Sequence, residues 1–342
     1  MDPLARRTLG RTDVQLTQLG FGSAGLGDLY TVLDEVAAQA TVAAAWRAGV
    51  RYFDTAPWYG RGQAEHRLGR VLHPHPRADY VLSTKVGRTL HAFHPAERFE
   101  RGMWAGGLPF EVRFDYSYDG IMRSFEDSLQ RLGLPRIDLL LIHDLDLQYH
   151  VNAARVDALL HELVTGGWRA LSELKRAGMI RGIGAGINEP GMIPRFLDLM
   201  ELNFFLVALP YTLLEQGMLE AEFPRCRRDG VGIVIGAVFA SGILATGAAA
   251  GAKHNYADAT PEALAKVGRI EAVCRRHGVP LPAAALQFPL GHPAVASVIP
   301  GAIAPAQVER NVAAFRHDIP AALWAELKHE GLLRADAPTP ES

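Results

Sequence analysis

Cysteine is scarce in this 342-residue chain: only Cys226 and Cys274 occur, too few for a disulfide framework or a cysteine-built zinc cage. No apolar run approaches the ~20 residues that a membrane span needs. Neither sign of charge dominates. Lys+Arg 35 against Asp+Glu 37 leaves a net charge of −2, so no broad basic field points to nucleic acid. The opening residues Met1-Asp2-Pro3-Leu4-Ala5-Arg6-Arg7 carry no apolar stretch of the signal-peptide kind, and the expected compartment is the cytoplasm. Thirteen histidines are present, yet H-E-x-x-H is absent and His73-Pro-His75 merely follows a helical stretch, so a barrel metallohydrolase is disfavoured and no metal is expected. Lysine is rare as well, five against thirty arginines.

What the chain does contain is alternation. Short apolar runs at residues 16–20, 51–55, 80–85, 137–143, 180–186, 205–211, 232–237 and 296–300 read as strands. Between and after them, amphipathic stretches at 34–48, 63–72, 118–132, 167–177, 191–200, 214–228, 261–276 and 305–315 read as helices. The strand candidates are continuously apolar, as in Asp138-Leu-Leu-Leu-Ile142, the signature of parallel strands covered on both faces. Eight such βα units predict an α/β TIM (β/α)8 barrel with its site at the C-terminal ends of the strands. Residues 1–334 are expected to form one domain, with 6–14 as a hairpin capping the barrel floor and 335–342 as a frayed tail. The connection 88–115 is long for a compact domain and carries five aromatic residues, so it is expected to pack over something functional.

Gly20-Phe-Gly22-Ser-Ala-Gly25 matches the dinucleotide fingerprint G-x-G-x-x-G. Its context does not fit, because the motif should open a helix directly and Leu26-Gly-Asp-Leu-Tyr-Thr-Val-Leu-Asp34 intervenes. Asp54 also lies 29 residues beyond Gly25, against the ~20 of a Rossmann unit. A loop lining the mouth of a barrel pocket is the simpler reading.

Polar residues at barrel strand ends read as catalytic: Asp54 and Tyr59 after the second strand, Lys85 ending the third, His143-Asp144 ending the fourth, Asn188 after the fifth. Lys85 closes the apolar run Tyr80-Val-Leu-Ser-Thr84, where an ammonium needs a partner. Asp54 on the adjacent strand can supply it. A tyrosine is a poor base at its ordinary pKa of ~10, and an adjacent ammonium is expected to lower that value. Tyr59 as proton carrier, Lys85 as tuner, Asp54 as anchor and His143 as orienting group form an acid–base unit. Carbonyl/alcohol redox chemistry would add a hydride carrier.

Along nearly its whole length, the sequence resembles the aldo-keto reductase family. The segments that carry the resemblance are Arg7-Thr-Leu-Gly10, Phe53-Asp54-Thr-Ala-Pro-Trp-Tyr59-Gly60, Leu82-Ser-Thr-Lys85, Arg131-Leu-Gly133, Ile137-Asp-Leu-Leu-Leu-Ile-His143, Ile180-Arg-Gly-Ile-Gly184 and Glu309-Arg-Asn311. The family's tetrad falls on Asp54, Tyr59, Lys85 and His143. Phe114-Asp-Tyr-Ser-Tyr-Asp-Gly120, Tyr211-Thr-Leu-Leu214 and Ser241-Gly-Ile-Leu244 are similar to its aldose 1-dehydrogenase branch, which includes L-fucose and pyridoxal 4-dehydrogenases. The resemblance implies a barrel that binds nicotinamide dinucleotide without a Rossmann fold. It implies Asn188 at the carboxamide, Phe239, Ser241, Gly242 and Leu244 at the pyrophosphate, and Pro300, Gly301, Gln307 and Asn311 along the adenosine half. Two positions depart from the family: Ala208 stands for a glutamine, and Gly236 for the aromatic that stacks under the nicotinamide, with Phe239 as its substitute. NAD is expected over NADP, because the positions that supply cations to a 2′-phosphate are Gly301, Ala302 and Gln307; Arg310 is the one side chain that could restore the charge. The implied reaction is oxidation of an aldose C1 hemiacetal to a lactone, with pyridoxal as the alternative substrate and general aldehyde reduction or a non-catalytic redox sensor as rivals. Trp58, Trp104 and Asp144 are the expected substrate contacts, and the expected partner is a small molecule, not nucleic acid or membrane.

Overall fold

The strand Leu139–His143 is buried along its whole length, and its side chains divide between two cores. Leu139 and Leu141 point into one cluster with Tyr52, Phe204, Leu206 and Val234. Leu140 and Ile142 join the larger cluster formed with the surrounding helices. A strand covered on both faces must sit between an interior and a helical shell, which is the arrangement of a barrel. The computed structural model describes residues 1–249, 251–255 and 257–340.

Among the described residues, eight parallel strands form the barrel: β1 (Phe21–Gly22), β2 (Tyr52–Asp54), β3 (Val81–Val86), β4 (Leu139–His143), β5 (Gly182–Ile187), β6 (Phe204–Ala208), β7 (Gly232–Gly236) and β8 (Val295–Val298). They pair in chain order, and parallel bridges Leu19–Val298 and Gly22–Gly301 close the last strand onto the first. Outside them lie α1 (Glu35–Arg47), α2 (Gln63–Leu72), α3 (Tyr118–Leu132), α4 (Trp168–Arg176), α5 (Met192–Leu199), α6 (Glu222–Asp229), α7 (Pro261–Arg276) and α8 (Pro305–Arg316). Local signals set the ends of α3: the Ser117 side chain accepts from Gly120 N, and Gly133 closes it at φ +63°, a conformation that glycine adopts without penalty. In α7 the Thr260 side chain caps the Ala263 N–H, with proline at the first helical position, where a missing N–H costs nothing.

The eight-unit reading of the sequence holds, with differences at particular elements. The first strand is Phe21–Gly22 rather than 16–20. Residues Gln15–Thr17 instead pair antiparallel with Arg6–Thr8, and this hairpin pushes Leu9, Val14 and Leu16 into the barrel interior, closing its floor. Residues 214–221 are not α-helical, holding only a 3-10 turn at Gly217–Leu219, so α6 is about half the expected length; the Thr212 side chain caps the N–H groups of Leu214 and Glu215 in a tight turn before it. The expected long loop at 88–115 is built around a two-stranded hairpin, Arg88–Ala92 with Phe110–Phe114. Helices at Ala153–Glu162, Leu281–Gln287 and Ala321–His329 were not among those expected. The tail does not fray as far as residue 340: Ala337 is buried and Thr339 packs on Gly291. Its last two residues lie outside the described ones. Among the described residues no helix is long and apolar enough to cross a membrane.

Candidate active site

Three successive strands bring the central side chains together at the C-terminal end of the barrel. Asp54 ends β2 and pairs in register with Ser83 of β3, so the side chains two residues apart on β3, Ser83 and Lys85, both reach it. Lys85 Nζ donates to Asp54 Oδ2 at 2.7 Å and to the Thr55 carbonyl at 2.8 Å. Ser83 Oγ donates to the other carboxylate oxygen at 2.6 Å. An ammonium has three donors, so one remains, and Nζ lies 4.8 Å from the centre of the Tyr59 ring. Tyr59 is delivered by the turn after β2. There Gly60 has φ +63°, and a Cβ on it would come 2.7 Å from Gly27 Cα, so only glycine fits. The ring of His143, at the end of β4, stands edge-on to Tyr59 with centroids 6.0 Å apart. The structure thus brings Asp54, Tyr59, Lys85 and His143 together.

The electrostatics differ from the expectation at Tyr59. The phenol keeps part of its surface on the pocket, yet burial pushes its pKa well above the ordinary value, the charges of Asp54 and Asp144 add to the shift, and Arg88 opposes it. Desolvation outweighs the neighbouring ammonium because Asp54 already neutralises Lys85. Burial, with Arg88 and Lys85 adding, pulls His143 well below its ordinary value, so its imidazole is neutral. His143 Nδ1 is buried without a partner, while Nε2 lies 3.2 Å from Asp144 Oδ2.

Two cavities meet at this point. A narrow pocket is walled by Trp58, Met103, Trp104, Tyr149 and Leu29, with Tyr59, His143, Asp144 and Asn188 at its inner end. Trp104 meets Trp58 edge-on at 5.5 Å and Tyr59 at 5.9 Å; the long connection does pack over the site. Asp144 is less available than expected. Its Oδ2 faces the Arg88 guanidinium, its Oδ1 accepts from Asn188 Nδ2 at 2.8 Å, and burial raises it to about 6. A substrate hydroxyl would compete with both partners.

The second cavity is a groove of about 650 Å³ that runs from Tyr59 and Asp54 past Ala208 and Gly236 to Phe239, Ser241 and Gly242, and then to Pro300, Gly301, Gln307, Arg310 and Asn311. Gly22, Ser23 and Gly25 line it too, so the fingerprint-like segment borders the groove while forming a 3-10 turn, Ala24–Gly27. The turn after β7 carries left-handed residues at Ala237, Ala240, Ser241 and Gly242, and the Ala240 and Gly242 N–H groups donate within it to the Ala237 and Phe239 carbonyls. Leu244 is not brought to the groove: it is buried, with its N–H on the Phe239 carbonyl. Gln307 Oε1 is occupied by the Ile303 N–H at 2.7 Å. Among the described residues no cluster of three or more His, Cys, Asp or Glu side chains could hold a metal ion.

A model of the Aldo/keto reductase family matches residues 18–329. The chain belongs to that family. It is 44% identical to a pyridoxal 4-dehydrogenase of Microbacterium luteolum, over 96% of this chain and 98% of that one. It is 39% identical to a D-threo-aldose 1-dehydrogenase of Pseudomonas sp, over 94% and 95%. Among solved structures it superposes on the holo form of an aldo-keto reductase from Bacillus halodurans with a TM-score of 0.73, at 27% identity and 98% coverage of both chains. This aldo-keto reductase is an enzyme, an oxidoreductase.

Sequence reasoning missed Arg88, Tyr149 and Met103. The Arg88 side chain is 2% exposed and lies beside Trp58, Phe114 and Tyr149. Arginine is this chain's common cation, so nothing marks one arginine as interior. Its place just beyond Lys85, at the end of the same apolar run, was the available signal.

Proposed function

We propose that this aldo-keto reductase oxidises the hemiacetal carbon of a cyclic substrate to a lactone, with a nicotinamide dinucleotide as co-substrate. One observation carries the reading: Tyr59, with the buried Lys85 ammonium beneath its ring, stands where a narrow aromatic pocket opens into a groove long enough for a dinucleotide. When bound, the dinucleotide supplies the hydride acceptor. The groove suits such a group: its floor is small at Ala208 and Gly236, and the left-handed turn at Ser241 and Gly242 lines it without bulk where a pyrophosphate would lie. Asn188 donates both amide hydrogens to carboxylates, Asp144 and Asp146, which leaves its carbonyl oxygen to accept from a carboxamide. Phe239 borders the ring end; Pro300, Gly301, Gln307 and Asn311 border the adenosine end.

Tyr59 takes the anomeric hydroxyl proton. Lys85 offers its remaining N–H to the phenolate, Asp54 holds Lys85, and neutral His143 orients the hydroxyl. Trp58 and Trp104 present aromatic faces to the C–H faces of the substrate ring. The uncharged residues Gly301, Ala302 and Gln307 favour NAD⁺; Arg310, exposed on the rim, is the cation that lines the groove among its described residues. Two free, buried cysteines are consistent with a reducing cytoplasm.

An aldose pyranose is the first candidate substrate, in line with the Pseudomonas relative. Pyridoxal is the second, favoured by the Microbacterium relative and by the flat walls of Trp58, Trp104 and Tyr149; its aldehyde closes to the same functional group. The test is turnover of L-fucose, L-galactose, D-arabinose and pyridoxal with NAD⁺, with the product identified by mass and NMR. A lactone from at least one of them is expected. Reduction of open-chain aldehydes with no hemiacetal oxidation overturns the proposal.

A further inference from the structure

Arg88 opens the hairpin strand Arg88–Ala92, just beyond Lys85. Its Cζ lies 4.7 Å from the centre of the Trp58 ring, 4.7 Å from Phe114 and 4.5 Å from Tyr149. A guanidinium is weakly hydrated and stacks on aromatic faces, so this cage holds the cation in one place. From there Nη2 meets Asp144 Oδ2. That same oxygen lies 3.2 Å from His143 Nε2, while Oδ1 accepts from Asn188 Nδ2 at 2.8 Å. Asp144 itself sits at φ +49°. One carboxylate therefore joins an imidazole and an amide that both line the inner end of the narrow pocket, where it meets the groove, and one caged arginine holds that carboxylate.

We infer that Arg88 is a positioning residue that, through Asp144, sets His143 and Asn188 together. The inference rests on the hemiacetal-oxidation reading of the site. The groups facing Asp144 are Arg88 from the hairpin, Lys85 from β3, Tyr59 from the turn after β2, Tyr116 from the segment before α3, His143 from β4, Asp146 and His150 from the segment that follows, and Asn188 after β5. Burial is the largest influence on the carboxyl, Arg88 is the largest opposing one, and Asp146 pushes with burial. Loss of Arg88 removes the largest influence that keeps the carboxyl ionised, and moves it further toward the protonated form. A protonated carboxyl spends one oxygen as a donor, and it then no longer sets a negative charge against His143 Nε2 while accepting from Asn188. With the carboxylate ionised, its charge 3.2 Å from Nε2 keeps the imidazole proton on that nitrogen, where it can be offered to a substrate oxygen at the inner end of the pocket.

The test compares Arg88→Met, which fills the cage without charge, with Arg88→Lys and Asp144→Asn. Three readouts are used: NAD⁺ affinity by tryptophan quenching, the His143 tautomer by ¹⁵N NMR, and the pH profile of kcat/KM. In the wild type the acid side of the profile breaks near the Asp144 value of about 6. Arg88→Met is expected to weaken NAD⁺ binding roughly tenfold, as expected for a lost hydrogen bond to a charged group, to mix the His143 tautomers and to move the break upward by about a pH unit or more. Arg88→Lys should bring the break back toward the wild-type position. Asp144→Asn should abolish it, and this variant decides the matter if Arg88→Met does not fold. Wild-type NAD⁺ affinity, tautomer and break in Arg88→Met, or an undisturbed break in Asp144→Asn, overturns the inference. Absence of turnover in the wild type would instead overturn the hemiacetal reading, and the NMR and binding measurements would still decide the role of Arg88.

Discussion

Lys85 Nζ and Asp54 Oδ2 lie 2.7 Å apart, with each side chain only 2% exposed. The pair joins the C-terminal parts of adjacent strands and turns an otherwise prohibitive buried ammonium into a fixed one. Removing one partner of a buried pair leaves the other charge uncompensated, at a cost of about 3–5 kcal/mol. Asp54→Asn is therefore expected to lower unfolding stability in urea by about that much. A loss under ~1 kcal/mol, the value of an exposed pair, would mean that Lys85 is not held as a charge.

Tyr59 is pushed above the ordinary tyrosine value by burial, and the proposed oxidation requires it as the phenolate. Below its pKa the phenolate fraction grows tenfold per pH unit, so log kcat/KM for oxidation should rise with a slope of about +1 between roughly pH 7 and 9. His143, pulled well below its ordinary value, stays neutral there and adds no limb. A profile flat over this range contradicts the assignment of the base.

Trp104 is 2% exposed and forms a wall of the narrow pocket, away from the groove. Trp104→Ala should raise KM for the sugar or pyridoxal roughly tenfold or more, in line with the loss of a buried aromatic contact, and leave NAD⁺ affinity unchanged. An unchanged KM would show that its ring supports the connection 88–115 and not the substrate.

Much of this was legible beforehand. The barrel followed from the apolar runs, because burial on both faces erases alternation, and the Asp54–Lys85 pair followed from a lysine placed where no solvent reaches. The first strand was displaced because Leu16 is apolar for a different reason: it plugs the barrel floor from a hairpin. The short α6 was overextended because apolar Leu213 and Leu214 are buried in a turn rather than on a helix face. At the site, the position of Tyr59 was readable but its electrostatics were not, since desolvation depends on which walls close around the ring. Arg88 was hidden for a related reason: what sets it apart is three rings contributed by residues 58, 114 and 149.

The choice of dinucleotide turns on Arg310. A 2′-phosphate attracts Arg or Lys, and the positions nearest the adenosine end are otherwise uncharged. NAD⁺ is expected to give the higher kcat/KM with a common substrate. A tenfold preference for NADP⁺, worth ~1.4 kcal/mol, contradicts this, and its loss in Arg310→Ala would identify the side chain responsible.

The central claim is that Tyr59 is the proton acceptor for hydride removal, and Tyr59→Phe tests it most directly because it deletes one oxygen and keeps the ring. NAD⁺ dissociation constants measured beside single-turnover oxidation should separate binding from chemistry. The expected result is an almost unchanged Kd with a rate loss of ~10²-fold or more, the range for acid–base groups. A phenylalanine variant that oxidises its substrate at near the wild-type rate contradicts the account.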